Sequence, residues 1–196
     1  MPRRGALICI EGIDASGKTT QAHRLVKNLR LKGFDAVYTT EPSSGKVGRL
    51  IRRYVLDREK RVPIALEALL FAADRVDHIS TEVKPSLEKG KIVICDRYVY
   101  SSLAYQGASG LDPNWIEHVN QFALVPDLAL FLDVTPEVMV KRLKRKKTVM
   151  ETPQNLLKVR EVYLQMVRDK HLILLDGSKP VNEVANDILK TVLSFL

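Results

Sequence analysis

The sequence predicts an α/β fold in three layers, with a five-stranded parallel sheet between two sets of helices. Three observations carry this. Five short apolar runs recur along the chain, at residues 6–10, 36–39, 92–95, 128–132 and 172–175. Four of them are almost continuously apolar, as strands covered on both faces are. Stretches long enough for helices separate the runs, which is the alternation of a parallel sheet. The connections also carry start and turn chemistry. Asp112-Pro113, Thr135-Pro136-Glu137 and Thr152-Pro153 each set a capping side chain before a proline, and Gly33, Gly90 and Gly110 punctuate the turns. At 196 residues the chain is long enough for one such domain with a sizeable core and short for two. With no repeat and no low-complexity linker, residues 1–196 read as one domain.

The first strand, 6–10, leads into Gly12-Ile13-Asp14-Ala15-Ser16-Gly17-Lys18-Thr19, and a helix over 19–31 leads out. This is the G-x-x-x-x-G-K-[ST] spacing in its strand–loop–helix context, a phosphate-binding loop. Glycines let the backbone approach phosphate oxygens closely, and the helix N-terminus turns its N–H groups and dipole toward them. Residues 12–20, Thr20 included, are expected to bind ATP, with Lys18 on the β- and γ-phosphates and the Thr19 hydroxyl on Mg²⁺. The architecture is then that of the P-loop nucleoside-triphosphatases.

The strand at 92–95 ends on Asp96, which emerges at the same carboxyl edge and is expected to order the magnesium shell. Asp133 closes the run 128–132 in the same way, but it precedes Thr135-Pro136. It is either a second acidic group at the metal or a residue that shapes the turn, and the turn reading is favoured. Next comes Lys141-Arg142-Leu143-Lys144-Arg145-Lys146-Lys147, with one apolar residue in the run. Three readings compete: a solvated helix end, a basic lid over ATP, and a nucleic-acid or nuclear-localisation segment. A phosphate loop elsewhere in the chain favours the lid, placed at about 141–151. No NKxD tetrad follows a late strand, which argues against a guanine-reading switch protein.

Bulk composition narrows the class. Hydrophobic residues at 45% and charged residues at 28% describe a soluble globular protein. The net charge of +8 suits polyanionic ligands. Aromatics at 6%, with Trp115 the one tryptophan, leave few stacking platforms, so no nucleic-acid partner is expected. Cys9 and Cys95 each sit in an apolar run without metal-ligand or CxxC spacing, and read as reduced core residues. No run approaches a membrane span or a secretory h-region, so a cytoplasmic protein is expected.

The segment Asp96-Arg97-Tyr98-Val99-Tyr100-Ser101-Ser102-Leu103-Ala104-Tyr105-Gln106-Gly107 resembles the signature of thymidylate kinases. Glu11-Gly12-Ile13-Asp14, Glu41-Pro42, Leu70-Phe71-Ala72-Ala73-Asp74-Arg75 and Leu132-Asp133-Val134-Thr135-Pro136-Glu137 resemble the same family in order and spacing, over residues 7–188. The resemblance implies transfer of the γ-phosphate of ATP to dTMP, Mg²⁺ dependence, a place in dTTP biosynthesis, and a homodimer packed through helices over 64–79 and 112–124. The apolar stripes of those helices could equally be core.

The resemblance also implies roles. Arg97 looks like the clamp on the acceptor phosphate, for which a guanidinium fork is suited, and Ser101 belongs to the same dTMP site. Phe71 resembles the residue that stacks on thymine, and Arg75 the one that bonds its O4. Asp14 resembles the acceptor of the 3′-hydroxyl, Tyr105 the ring that crowds the 2′ position, and Gln106 lies near the base. Pro42 and Arg52 resemble further dTMP contacts, and Arg142 with residues 175–178 flanks adenine. Two positions depart from the pattern: Ala15, where eukaryotic members carry Arg, and Thr40, where many bacterial members do. The missing charge then falls to the lid, to Arg145, Lys146 or Lys147, although this lid is shorter and richer in Lys than the bacterial form. A phosphate acceptor has a second pKa of about 6 and needs no general base, so positioning and cations carry the reaction. The rival readings are a kinase of a deoxynucleoside, of another monophosphate or of shikimate, and a non-enzymatic nucleotide-dependent or nucleic-acid binder.

Overall fold

A computed structural model of the protein describes residues 5–56, 61–142 and 153–196. Its centre is a five-stranded, all-parallel sheet in the order β2-β3-β1-β4-β5. The strands are β1 Ala6–Glu11, β2 Ala36–Thr40, β3 Ile92–Asp96, β4 Leu128–Asp133 and β5 Ile173–Asp176. All five fall where the apolar runs predict them. All five, however, continue one residue further, onto Glu11, Thr40, Asp96, Asp133 and Asp176. Apolar residues mark where side chains are covered, while the hydrogen-bond ladder runs on to the polar edge. The expectation for the fifth run needs correction: Leu172 is buried, but Ile173 and Leu174, which point to opposite faces, are about half exposed, so helices cover both faces of this edge strand only in part.

Strand alternation divides the core. Leu7 and Cys9 of β1, Val93 and Cys95 of β3 and Phe131 of β4 pack toward α5 (Val99–Gly107) and α8 (Pro153–Arg168). Ile8, Ile10, Ile94 and Leu130 pack toward α1 (Lys18–Leu31) and α9 (Val181–Phe195). Both cysteines are buried and unpaired. Between β2 and β3 run α2 (Lys46–Ile51), a wider turn over Arg52–Leu56, α3 (Ile64–His78), a second wide turn over Ile79–Val83, and α4 (Lys84–Glu88). α6 (Pro113–Val119) starts as its sequence predicts, with the Asp112 side chain accepting from the Asn114 N–H. α7 spans Pro136–Arg142. Residues 143–152, and with them Arg145, Lys146, Lys147, Thr152 and nearly all of the expected lid, lie outside the described residues.

Candidate active site

β1 delivers the chain into the loop 12–17, and α1 begins at Lys18. Gly17 has a φ of 96°, and among the described residues no side chain caps the helix. The first-turn N–H groups therefore face the loop without a side-chain acceptor, the arrangement that takes phosphate oxygens. Gly12 has a φ of 153°, and a Cβ there would lie 2.8 Å from the Leu132 carbonyl oxygen, so any other residue would push the loop off the sheet. Lys18 Nζ donates to the Ile13 carbonyl at 2.9 Å, folded back along the loop. Burial, and then the Arg97 charge, hold the Lys18 amine down to about 8. Ser16 Oγ is buried without a hydrogen-bond partner among the described residues, while Thr20 is exposed.

β3 ends beside this loop. The Thr19 hydroxyl donates to Asp96 Oδ2 at 2.5 Å, and Asp96 Oδ1 is buried without a partner among the described residues. The next residue, Arg97, takes a left-handed backbone with φ 71°, uncommon outside glycine. Its N–H continues the sheet by donating to the Ile10 carbonyl at 3.1 Å. The turn throws the guanidinium across the mouth of the phosphate loop. Nη1 donates to the Gly12 carbonyl and Ser101 Oγ, each at 3.2 Å, and Nη2 to Asp14 Oδ1 at 2.7 Å. The Tyr105 hydroxyl donates to the other Asp14 oxygen at 2.9 Å. Burial works to raise the Asp14 carboxyl, but Arg97 and Lys18 outweigh it and hold it below its usual range. Below the cluster, Glu11 is fully buried and accepts from the Tyr98 N–H, Ser101 Oγ and Tyr163 OH. Burial raises its carboxyl, and those three donors and Arg97 only partly offset this.

On α3, Glu67, Phe71 and Arg75 stand four residues apart on one helical face. On α5, Ser102 and Gln106 do the same. The two rows meet at both ends: Gln106 Nε2 donates to Glu67 Oε1 at 2.8 Å, and Arg75 Nη2 to Ser102 Oγ at 3.2 Å. Phe71, half-buried, lies between. Arg75 is 1% exposed and also bonds Glu41 through Nε at 2.9 Å, Asn120, and the face of Tyr98 at 5.3 Å. His78 backs Glu41, with Nδ1 at 3.1 Å from Oε1. Pro42 follows Glu41, and Arg52 donates to the carbonyls of Pro42 and Ser43. Asp74 holds Ser43 through both its N–H and its hydroxyl at 2.6 Å.

At the other end of the phosphate loop, Arg142 Nη1 donates to the Gly177 carbonyl at 3.1 Å and lies 3.4 Å from that of Ser16. Asp133 is held by Arg160 through both oxygens, at 2.6 and 2.7 Å. Its carboxylate thus ties β4 to α8.

A family model for thymidylate kinase matches residues 10–188. The chain is 41% identical to the probable thymidylate kinase of Pyrococcus horikoshii and 43% identical to that of Pyrococcus abyssi, with 96% of each chain covered in both comparisons. It is 44% identical to the probable thymidylate kinase of Thermococcus onnurineus, over 94% of this chain and 96% of the relative. The chain belongs to the thymidylate kinase family.

Within that family frame, the structure brings Asp14, Lys18, Thr19, Asp96, Arg97, Ser101 and Tyr105 to one edge, with Phe71, Arg75 and Gln106 on the facing rows of α3 and α5 beside it. Thr40, at the departure from the bacterial pattern, donates its hydroxyl to the Asp96 carbonyl at 2.9 Å and so serves the sheet. Sequence reasoning missed the residues that hold these groups: Glu67, His78, Asn120, Arg160 and Tyr163 received no role. The four-residue spacing of Glu67, Phe71 and Arg75 was the available signal for the first. Nothing in sequence links Tyr163 or Arg160 to strands 27 to 152 positions away.

If Lys18 holds the phosphates of ATP, binding favours its protonated form, whereas the nucleotide-free amine loses its proton as pH rises through about 8. Binding at pH 8 should therefore take up roughly half a proton, with almost none at pH 6.5. Calorimetry in buffers of different ionisation enthalpy reads this directly; the uptake should vanish in Lys18→Met, and its absence from the wild type would contradict the depressed amine.

Proposed function

We propose that the protein transfers the γ-phosphoryl group of ATP to dTMP, giving dTDP and ADP for dTTP synthesis, as one domain acting in the cytoplasm. The observation that carries the reading is the double attachment of Arg97. Its guanidinium bonds the phosphate loop at Gly12 and Asp14 while standing on the α5 side with Ser101 and Tyr105. The donor cradle and the acceptor clamp thus share one set of hydrogen bonds, and phosphate bound to Arg97 lies against phosphate bound to the loop.

The chemistry follows from charge. dTMP is mostly dianionic at neutral pH and attacks without losing a proton to the protein. The barrier lies in bringing two polyanions into line. Lys18 and the α1 N-terminus hold the donor, Arg97 holds the acceptor, and Arg145 and Lys146 of the lid supply cations to the transferring group. Phe71 stacks the base, Arg75 meets its O4, Gln106 lies beside it, and Tyr105 with Asp14 borders the sugar. Pro42 and Arg52 border the acceptor phosphate, and Arg142 flanks adenine.

The donor set fits magnesium: Asp96 Oδ1 is buried and without a partner among the described residues, next to Thr19. Among those residues no group of three or more His, Cys, Asp or Glu is placed to hold a metal ion by itself, so phosphates and water would complete the shell. Thr19 and Asp96 would hold it, and once bound it neutralises charge on the β- and γ-phosphates.

A homodimer is also proposed. α3 exposes Leu66, Leu69 and Val76, and Phe122 and Val125 are 71% and 86% exposed beyond α6. Sedimentation at twice the 22.1 kDa chain mass is expected; a monomer at micromolar concentration would overturn the dimer. Among the described residues no helix is long and apolar enough to cross a membrane.

³¹P NMR of ATP, Mg²⁺ and dTMP with the enzyme should show dTDP and ADP appearing together. Arg97→Ala should lower kcat by about 10²–10³, whereas Arg75→Ala should mainly raise KM for dTMP and lower stability, since it strips the buried Glu41 of its arginine and leaves it His78 alone. Near-normal turnover in Arg97→Ala would contradict the assignment.

A further inference from the structure

Glu67 opens α3 and is fully buried. Arg61 grips its carboxylate two ways, Nε to Oε2 and Nη2 to Oε1, each at 3.0 Å, and its remaining nitrogen reaches Ser109 Oγ at 2.7 Å. Glu67 Oε1 also accepts from Gln106 Nε2 at 2.8 Å. Both oxygens of the carboxylate are thus engaged as acceptors. The amide of Gln106 can bond it only through its nitrogen. Gln106 Oε1 is therefore turned away from Glu67, where it is buried and without a partner among the described residues.

We propose that Glu67, gripped by Arg61, is a positioning residue that fixes the Gln106 amide so that the cleft presents an acceptor to the base, selecting rings with a donor at N3. The proposal rests on reading Phe71, Arg75 and Gln106 as the base cleft. Along the paired faces of α3 and α5, Arg75 supplies donors at one end and Gln106 Oε1 an acceptor at the other, with Phe71 between. Thymine and uracil offer the complementary order, an O4 acceptor beside an N3–H donor. Cytosine offers the reverse, an amino donor beside an N3 acceptor, and leaves Gln106 Oε1 buried and unpaired against a second acceptor, the costly outcome. Discrimination against cytosine is thus set one residue behind the group that touches the base.

Glu67→Gln supplies a donor as well as an acceptor where the carboxylate only accepts, so both Gln106 orientations become available. With saturating ATP, kcat/KM should fall about tenfold for dTMP and dUMP together, while the dTMP:dCMP ratio narrows by about tenfold or more; KM for ATP should hold. Arg61→Ala, at a partly exposed side chain (24%), should move the ratio the same way if Glu67→Gln does not fold. On a Gln106→Leu background, Glu67→Gln should leave the ratio unchanged. Parallel loss for dTMP, dUMP and dCMP, with the ratio intact, would mean that Glu67 is merely structural and would overturn the proposal. A Gln106→Leu enzyme with the wild-type KM for dTMP and the wild-type ratio would overturn the base-cleft reading itself.

Discussion

The parallel register of β1 on β3 is the constraint on which the site depends. Ile10 pairs with Asp96, and the ladder extends one bond further, from the Arg97 N–H to the Ile10 carbonyl. That register puts Asp96 within 2.5 Å of Thr19 and sends Arg97 over Gly12 and Asp14. A slip of one residue would turn every β3 side chain to the other face, exchanging Asp96 and Cys95. Both faces are packed, on Leu7 and Cys9 against α5 and α8 and on Ile8 and Ile10 against α1 and α9. The cores therefore specify the register, and the register specifies the chemistry.

Behind the site lie buried ionic groups that serve geometry more than stability. Arg75 and Glu41 are ion-paired at 2.7 Å with side chains 2% exposed, and Glu11 sits fully buried under Arg97. Removing such charges from water is expensive, and a well-packed apolar replacement is often as stable. Here each such group fixes a side chain that must not move: Glu41 fixes Arg75, Glu67 fixes Gln106, and Glu11 fixes Ser101 and the Tyr98 backbone beside Arg97. A rear layer of carboxylates thus orients the front layer of donors.

Local chemistry made part of this legible in the sequence. Five apolar runs, Gly12 to Thr19 and the Asp112-Pro113 cap each act over a few residues, and each stands where it was expected. Arg97, Tyr105, Phe71 and Arg75 were visible only through family resemblance, since an aromatic or an arginine on an amphipathic helix carries no label of its own. The holding layer was invisible for a different reason. Its bonds span 27 residues for Asp133–Arg160, 34 for Glu41–Arg75 and 152 for Glu11–Tyr163, and such pairings are decided by packing of elements rather than by spacing. Asp133 shows the limit: two local readings were open, and its partner proved to be Arg160, distant in sequence.

The central claim is that one edge joins a triphosphate cradle to a clamp for a deoxythymidine monophosphate. Its most direct test is coupled ADP release with Mg-ATP, compared across dTMP, dUMP, UMP, dCMP, AMP, thymidine and shikimate as acceptors. Strong preference for dTMP, weaker turnover of dUMP and little of UMP is the result predicted by Arg97, Tyr105 and the Phe71 cleft acting together. Turnover of thymidine without turnover of dTMP would contradict the account, because Arg97 would then have no acceptor phosphate to hold.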